Sequence, residues 1–357
     1  MPIRVLIVED SAIFQKKKKN IFRTSPDIEV VGTGSDGIEG LALIPQLNPD
    51  VICTDFHMPR MDGLEFTKRV MVEYPRPILV ISISVQTEQR HRIFELLEAG
   101  AVDIFPKPRS SSNQDAQIHQ LRLINKIKIL AGVKVFRKVA PQPSPKSKSL
   151  PNTSQQASSN SYSDSKPTSG IKIVAIGTST GGPQALQTIF AHLPANFSVP
   201  IVCVQHISQG FLDGLIQWLA FSCALPIEIA RSGITPQAGT IYFPPEQNHL
   251  KFNSQGQFVC TDSPPIGGHR PAVDVTFKSV AQVYGRQAIA VLLTGMGKDG
   301  AAGMQMIHQA GGLTIAQDQE TSVIFGMPKE AIELGGVKHI LPLSEITPLL
   351  IEKSIAI

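Results

Sequence analysis

Aromatic side chains are scarce, 6% of 357 residues. Single-stranded nucleic acid is held largely by base stacking on such rings, so nucleic-acid binding is not expected to be the main function. No apolar run approaches the ~18 residues that a membrane-crossing helix needs, which predicts no membrane insertion. The four cysteines, Cys53, Cys203, Cys223 and Cys260, form no C-x-x-C pair and no zinc-type spacing. Cys53 and Cys203 fall inside apolar runs and are expected to be buried thiols of a reduced, cytoplasmic protein. No secretory leader is expected either, because a β-like run, Ile3–Val8, follows the first two residues. The net charge of +4 is local in origin. Six Lys/Arg and one Asp lie between Val133 and Gly170, and the remainder is slightly acidic. With no basic helix-turn-helix pattern after that stretch, a DNA-binding output is disfavoured.

What is present is alternation. Over the first ~130 residues, short β-like runs (Arg4–Val8, Glu29–Gly32, Val51–Asp55, Ile78–Ser82, Val102–Phe105) alternate with helical stretches such as Gly63–Tyr74 and Thr87–Ala99. This predicts a doubly wound (βα)5 domain with a parallel sheet. Lys16–Lys19 reads as a solvated helix face. From Val139 to Gly170, Ser and Pro supply 15 of 32 residues. Such a stretch buries too little apolar surface to offset its ordering entropy and is expected to be a flexible linker. Alternation resumes at Ile171, with strand candidates Lys172–Ile176, Pro200–Gln205, Thr240–Phe243 and Ala288–Leu293. A second α/β domain with a mostly parallel, Rossmann-like sheet is expected there. The resulting division is 1–132, 133–170 and 171–357.

In open parallel sheets, ligands sit at the carboxyl ends of strands. In the first domain those ends carry Glu9-Asp10, Asp55, Ser82 and Lys107-Pro108. Clustered carboxylates demand a cation, and oxygen-only ligands on a half-open rim suit Mg2+. Asp55 is then placed to attack a phosphoryl group, with Lys107 neutralising developing charge. Ser82 is placed to hydrogen-bond the product phosphate. Together with Asp55-Phe56-His57-Met58-Pro59 and Met61-Asp62-Gly63, these residues resemble a response-regulator receiver domain. The resemblance implies Asp55 as the phosphorylated residue and Glu9, Asp10, Asp55 and the His57 carbonyl as Mg2+ ligands, with Ser82 and Lys107 as switch residues. Ile104 departs from the pattern, standing where many receivers have an aromatic switch residue.

In the second domain, Gly177-Thr178-Ser179-Thr180-Gly181-Gly182-Pro183 follows a strand and precedes a helical pattern, matching G-x-S-x-G at a strand-to-helix turn. The next strand ends in His206, and a later one runs into Thr294-Gly295-Met296-Gly297-Lys298-Asp299-Gly300. A hydroxyl, an imidazole and a carboxylate would supply nucleophile, base and orienting acid. A glycine turn of this kind could equally cradle a dinucleotide phosphate, but no acidic residue follows at the ribose-binding distance. The order Ser, His, Asp also differs from that of the α/β-hydrolases.

With His269-Arg270-Pro271-Ala272-Val273-Asp274 and Gly326-Met327-Pro328, this half resembles the catalytic domain of the chemotaxis protein-glutamate methylesterases, the CheB type. The resemblance implies Ser179 as nucleophile, His206 as base, Asp299 as third member and the Met296 backbone N–H as oxyanion donor. Tyr242–Leu250 and His269–Asp274 would shape the site. It further implies hydrolysis of γ-glutamyl methyl esters on methyl-accepting chemotaxis receptors, with deamidation of receptor glutamines. Activation would come through a chemotaxis-type histidine kinase, and the ester chemistry would need no cofactor.

Overall fold

Two parallel sheets organise the chain, one in each half. The computed structural model describes residues 1–82, 92–107, 113–135, 137 and 170–354. The first half runs β1 (Ile3–Val8), α1 (Ala12–Arg23), β2 (Ile28–Gly34), α2 (Gly37–Leu47), β3 (Val51–Thr54), α3 (Gly63–Glu73), β4 (Ile78–Ser82), α4 (Arg92–Ala99), β5 (Asp103–Pro106) and α5 (Asn113–Leu130). Its strands pair in parallel in the order β2-β1-β3-β4-β5. The central runs, IRVLIV, VICT and ILVIS, are rich in β-branched residues and nearly wholly buried, because helices cover both faces. Helix starts are set by acidic caps. Asp36 accepts from the Ile38 and Glu39 N–H groups, and Asp62 from that of Glu65.

The second half runs β6 (Ile173–Thr178), α6 (Gly182–Ala191), β7 (Ile201–Gln205), α7 (Leu212–Ala220), β8 (Ile227–Ile229), β9 (Ile241–Phe243), β10 (His249–Phe252) and β11 (Phe258–Thr261). It continues through α8 (Val273–Tyr284), β12 (Ala288–Leu292), α9 (Ala301–Gln309), β13 (Leu313–Gln317), α10 (Met327–Glu333), β14 (His339–Leu341) and α11 (Leu343–Ser354). Seven strands form a parallel sheet ordered β14-β13-β12-β6-β7-β9-β8, and β10-β11 is a separate antiparallel hairpin. The chain builds outward from β6 to one side, then returns to place β12 on the other. The strand order therefore reverses beside β6, the kind of crevice where open α/β sheets bind ligands.

The expected α/β class and parallel sheets are thus observed. Strand limits shift by one or two residues, and the expected helix Thr87–Ala99 is seen as Arg92–Ala99, since residues 87–91 lie outside the described ones. The expected linker lies almost entirely outside them too. Cys53 and Cys203 are buried as expected, and burial pushes the Cys53 thiol up to about 12. Strands β8, β10, β11, β13 and β14 were not expected. They are three to five residues long and mix polar with apolar side chains, leaving no clean periodicity to read. The reading of Lys16–Lys19 as a solvated face is corrected at one position: Lys18 is only 1% exposed. It follows Phe14 and precedes Phe22 at helical spacing, so it shares the face of α1 that packs inward.

Candidate functional site

In the first sheet the strand order reverses between β1 and β3, and the acidic groups collect there. Glu9 and Asp55 are buried, Asp10 is exposed, and the three carboxylates bring ligand oxygens within 4.8 Å of one another. Lys107 Nζ donates to Asp55 Oδ2 at 2.6 Å and to Glu9 Oε1 at 2.9 Å. Burial pushes the Asp55 carboxyl above its ordinary value, with Lys107 opposing. Glu9 lies below its ordinary value, because Lys18 and then Lys107 outweigh its burial. Ser82 is buried on β4, and its carbonyl accepts the Lys107 N–H at 2.8 Å. The structure therefore gathers Glu9, Asp10, Asp55, Ser82 and Lys107 on one rim. His57 follows two residues after Asp55 with its side chain exposed, and Pro108 lies outside the described residues.

In the second sheet β12, β6 and β7 are neighbours, so the turns after them share one edge. Thr178 pairs with Gln205 in register, which places Ser179 and His206 side by side one residue beyond. The His206 N–H donates to the Thr178 carbonyl at 3.0 Å. Ser179 sits in a tightly pinned turn. Its N–H donates to the Thr294 carbonyl at 3.0 Å, and its carbonyl accepts from Gly182 N–H at 2.9 Å and Gln205 Nε2 at 2.8 Å. Glycine is needed twice here. Gly181 has φ of 78°, and a Cβ on Gly295 would lie 2.7 Å from the Ser179 Cβ. Met296 follows Gly295, and its N–H makes no backbone hydrogen bond among the described residues.

His206 Nε2 meets Asp299 Oδ2 at 2.8 Å. The other ring nitrogen, Nδ1, is buried and has no hydrogen-bond partner among the described residues. Asp299 also caps α8, accepting the Val273 N–H on Oδ2 at 2.8 Å and the Asp274 N–H on Oδ1 at 2.9 Å. Asp274 returns the arrangement by accepting from Gly300 and Gly303 at the start of α9. Burial pushes the Asp299 carboxyl up, but the His206 bond and the two helix N–H groups outweigh it and hold it below its ordinary value. Because all three partners donate, the carboxylate is fixed in its charged form and His206 is held with its proton on Nε2.

One residue with no individual role on sequence grounds lies directly against the imidazole. His269 stacks on His206, with ring centroids 3.8 Å apart and planes within 4°. Burial, then the like charge that His206 would carry, depress His269 to about 4, with Asp299 pulling the other way. The only hint in the sequence was its place in the His269–Asp274 segment. In an unfolded chain the same imidazole titrates near ~6.5. As pH falls, the unfolded state takes up this proton first, so stability should be present above about 6.5 and decline towards about 4. His269→Phe keeps a stacking ring and removes the titration. Chemical denaturation at pH 7 and pH 5 should show a smaller loss in the variant than in the wild type; equal losses would remove His269 as the source.

Beside this edge runs a recess lined by Gln205, Ile207, Leu212, Phe243, Glu246 and Arg270, among others. The first half of the chain closes in from the other side. Lys126 on α5 bridges Asp103 Oδ2 at 2.6 Å and Thr180 Oγ1 at 2.7 Å, next to Ser179. Arg122 donates to the Gly268 carbonyl at 3.3 Å, next to His269. Gln184 Nε2 donates to the Ala101 carbonyl at 3.0 Å. Glu98 Oε1 accepts from both Gln187 and Trp218, whose indole stacks on Phe94 at 5.7 Å.

Comparison with known proteins gives a consistent result. A family described as CheB methylesterase matches residues 174–350, and the response regulator receiver domain family matches residues 5–119. The chain is 38% identical to a protein-glutamate methylesterase/protein-glutamine glutaminase of Nitrosospira multiformis, over 98% of this chain and 96% of that one. It is 39% identical to protein-glutamate methylesterase/protein-glutamine glutaminase 4 of Geobacter metallireducens, over 98% of this chain and 100% of that one. Among solved structures, the CheB methylesterase catalytic domain of Thermotoga maritima is 44% identical. It covers 52% of this chain and 99% of its own, with a TM-score of 0.50.

Proposed function

The chain belongs to the CheB methylesterase family, and from that premise we propose that it is a phosphorylation-activated serine hydrolase acting on methyl-accepting chemotaxis receptors. It removes methyl groups from γ-glutamyl methyl esters and deamidates receptor glutamines. Residues 1–132 form the receiver, 133–170 the linker and 171–357 the catalytic domain. The observation that carries the catalytic assignment is the His206–Asp299 pair at 2.8 Å, with the second imidazole nitrogen left without a hydrogen-bond partner among the described residues and His206 set next to Ser179 by the β6–β7 register.

Ser179 Oγ attacks the ester carbonyl carbon while its proton passes to His206 Nδ1, and the Nε2–H stays on Asp299. The carbonyl oxygen becomes an oxyanion, held by the Met296 N–H at a site already shaped before the reaction. The tetrahedral intermediate collapses by breaking the bond to the methoxy oxygen, which takes the proton from Nδ1 and leaves as methanol. Water then attacks the γ-glutamyl ester of Ser179 by the same route, regenerating the serine and leaving glutamate. A glutamine side chain enters the same path with ammonia as the leaving group. No step calls on a cofactor.

The receiver carries its own chemistry. The Glu9, Asp10 and Asp55 carboxylates form an oxygen-only, half-open donor set of the kind that suits Mg2+, joined by the His57 carbonyl. Mg2+ bound there would supply positive charge for phosphoryl transfer. Asp55 accepts the phosphoryl group from a chemotaxis-type histidine kinase, Lys107 neutralises the charge on its oxygens, and Ser82 hydrogen-bonds the product. The Lys126–Thr180 and Arg122–Gly268 contacts support a reading in which the unphosphorylated receiver crowds the catalytic edge. Phosphorylation loosens those contacts, and the tether keeps the receiver at high local concentration. A cytoplasmic site of action agrees with four unpaired cysteines, and no described helix is long and apolar enough to cross a membrane.

Methyl-labelled receptor membranes mixed with the protein, with and without a small acyl phosphate, test the esterase and its activation by methanol release. Asp55→Asn should leave a low basal rate that the phosphodonor does not raise. Stimulation of that variant would refute Asp55 as the switch.

A further inference from the structure

The lysine run on α1 hides a residue that the receiver reading does not use. Lys18 is 1% exposed, although Lys16 and Lys17 on the same helix face solvent. Its stem reaches back along α1 towards the carboxyl end of β1, the direction in which helical side chains lean. There Nζ meets Glu9 Oε2 at 2.8 Å, and Glu9 itself is fully buried. The other oxygen of Glu9 is taken by Lys107 at 2.9 Å. An ammonium buried this deeply is very costly unless it is paired, so the contact is not a loose surface bridge.

The consequence lies in the charge of the phosphoryl-acceptor site. Three carboxylates, Glu9, Asp10 and Asp55, share it with two ammonium groups, Lys18 and Lys107. Without Lys18 the site would hold two uncompensated negative charges, which one divalent cation would cancel. With Lys18 it holds one, and Glu9 has no oxygen free of an ion pair. Resting on the assignment of Glu9, Asp10 and Asp55 as the Mg2+ site, we propose that Lys18 is a resident second cation. It competes with Mg2+ for Glu9, so that the receiver binds Mg2+ weakly and is phosphorylated only at high Mg2+.

Mg2+ titration of the full-length protein by isothermal calorimetry tests this. Lys18→Met, which keeps an apolar stem of similar length, should bind Mg2+ about tenfold or more tightly than the wild type, a conservative share of the Coulomb interaction between charges a few ångströms apart. Lys18→Arg, which keeps the charge, should stay close to wild type. The Mg2+ concentration that half-saturates labelling of Asp55 by acetyl phosphate should fall in Lys18→Met by the same factor. If Lys18→Met does not fold, Lys18→Gln retains a donor to Glu9 without the charge and carries the same expectation. Unchanged or weaker Mg2+ binding in the uncharged variants would overturn the role of Lys18 alone. Absence of saturable Mg2+ binding in wild type and variants alike would overturn the metal assignment beneath it.

Discussion

Ser179→Ala should lower methanol release by about 10⁴-fold or more while leaving the fold intact. Triad enzymes lose this much when the nucleophile is removed, because base and acid have nothing left to activate. Two features make the variant a clean test. The turn is held through the main chain of Ser179 and not its side chain: its N–H donates to the Thr294 carbonyl, and its carbonyl accepts from the Gly182 N–H and the Gln205 side-chain amide. The hydroxyl itself makes no hydrogen bond to the described residues, so its loss should cost under about 1 kcal/mol of stability. Methanol release from labelled receptors gives the rate, and thermal melting gives the fold. A fluorophosphonate should label the wild type and not the variant. If instead the glycine turn cradles a nucleotide in a receiver-controlled binding module, no labelling would depend on Ser179. Turnover within tenfold of wild type in a well-folded variant would remove Ser179 as nucleophile.

How far the sequence alone reaches depends on where a residue sits. Asp55, Ser179 and His206 follow wholly buried, mostly apolar β-runs of four to six residues, so their positions at strand ends could be read directly, and β12 brings the turn that carries Asp299 to the same edge. Periodicity also gave the sheets, because strands buried on both faces read as continuous Val/Ile runs. The edge strand β14, three residues long, carries no such run. Lys18 was legible in principle. Phe14, Lys18 and Phe22 recur at four-residue spacing, and Phe22 is fully buried, but four consecutive lysines suggest solvent more strongly than the stripe suggests a core. The His269 stack was not legible. It joins residues 63 positions apart through a loop with no helical or strand period, and only chain closure in three dimensions brings the rings together. The contact of α5 with the nucleophile turn belongs to the same class. Lys126 reads as one more cation on an amphipathic helix until Thr180 is seen 2.7 Å away.

Asp299→Asn should cost about 10³- to 10⁴-fold in kcat, and the reason can be traced atom by atom. All three neighbours of the carboxylate donate: His206 and Val273 to Oδ2, and Asp274 to Oδ1. An amide offers one acceptor oxygen and one NH2. If the NH2 faces His206, it also meets the Val273 N–H, donor against donor; the imidazole must present Nε2 as the acceptor, its proton moves to Nδ1, and the nitrogen that should take the Ser179 proton is blocked. If the NH2 faces Asp274, the tautomer survives, but a donor meets a donor at the start of α8 and the imidazolium formed in the transition state loses its counter-charge. Both orientations lower the rate. The wrong-tautomer form is the costlier one for catalysis and is worth about 10⁴-fold in triad enzymes. The clash at the helix start costs about 1–3 kcal/mol of stability. Asp299→Ala separates the two effects, since it leaves His206 free to choose its tautomer while removing the α8 cap outright. It should be less stable than Asp299→Asn and no more than comparably slow. The pair is measured by methanol release and thermal melting on the same preparations, and a loss of less than tenfold in kcat for folded Asp299→Asn would exclude the carboxylate from the catalytic group.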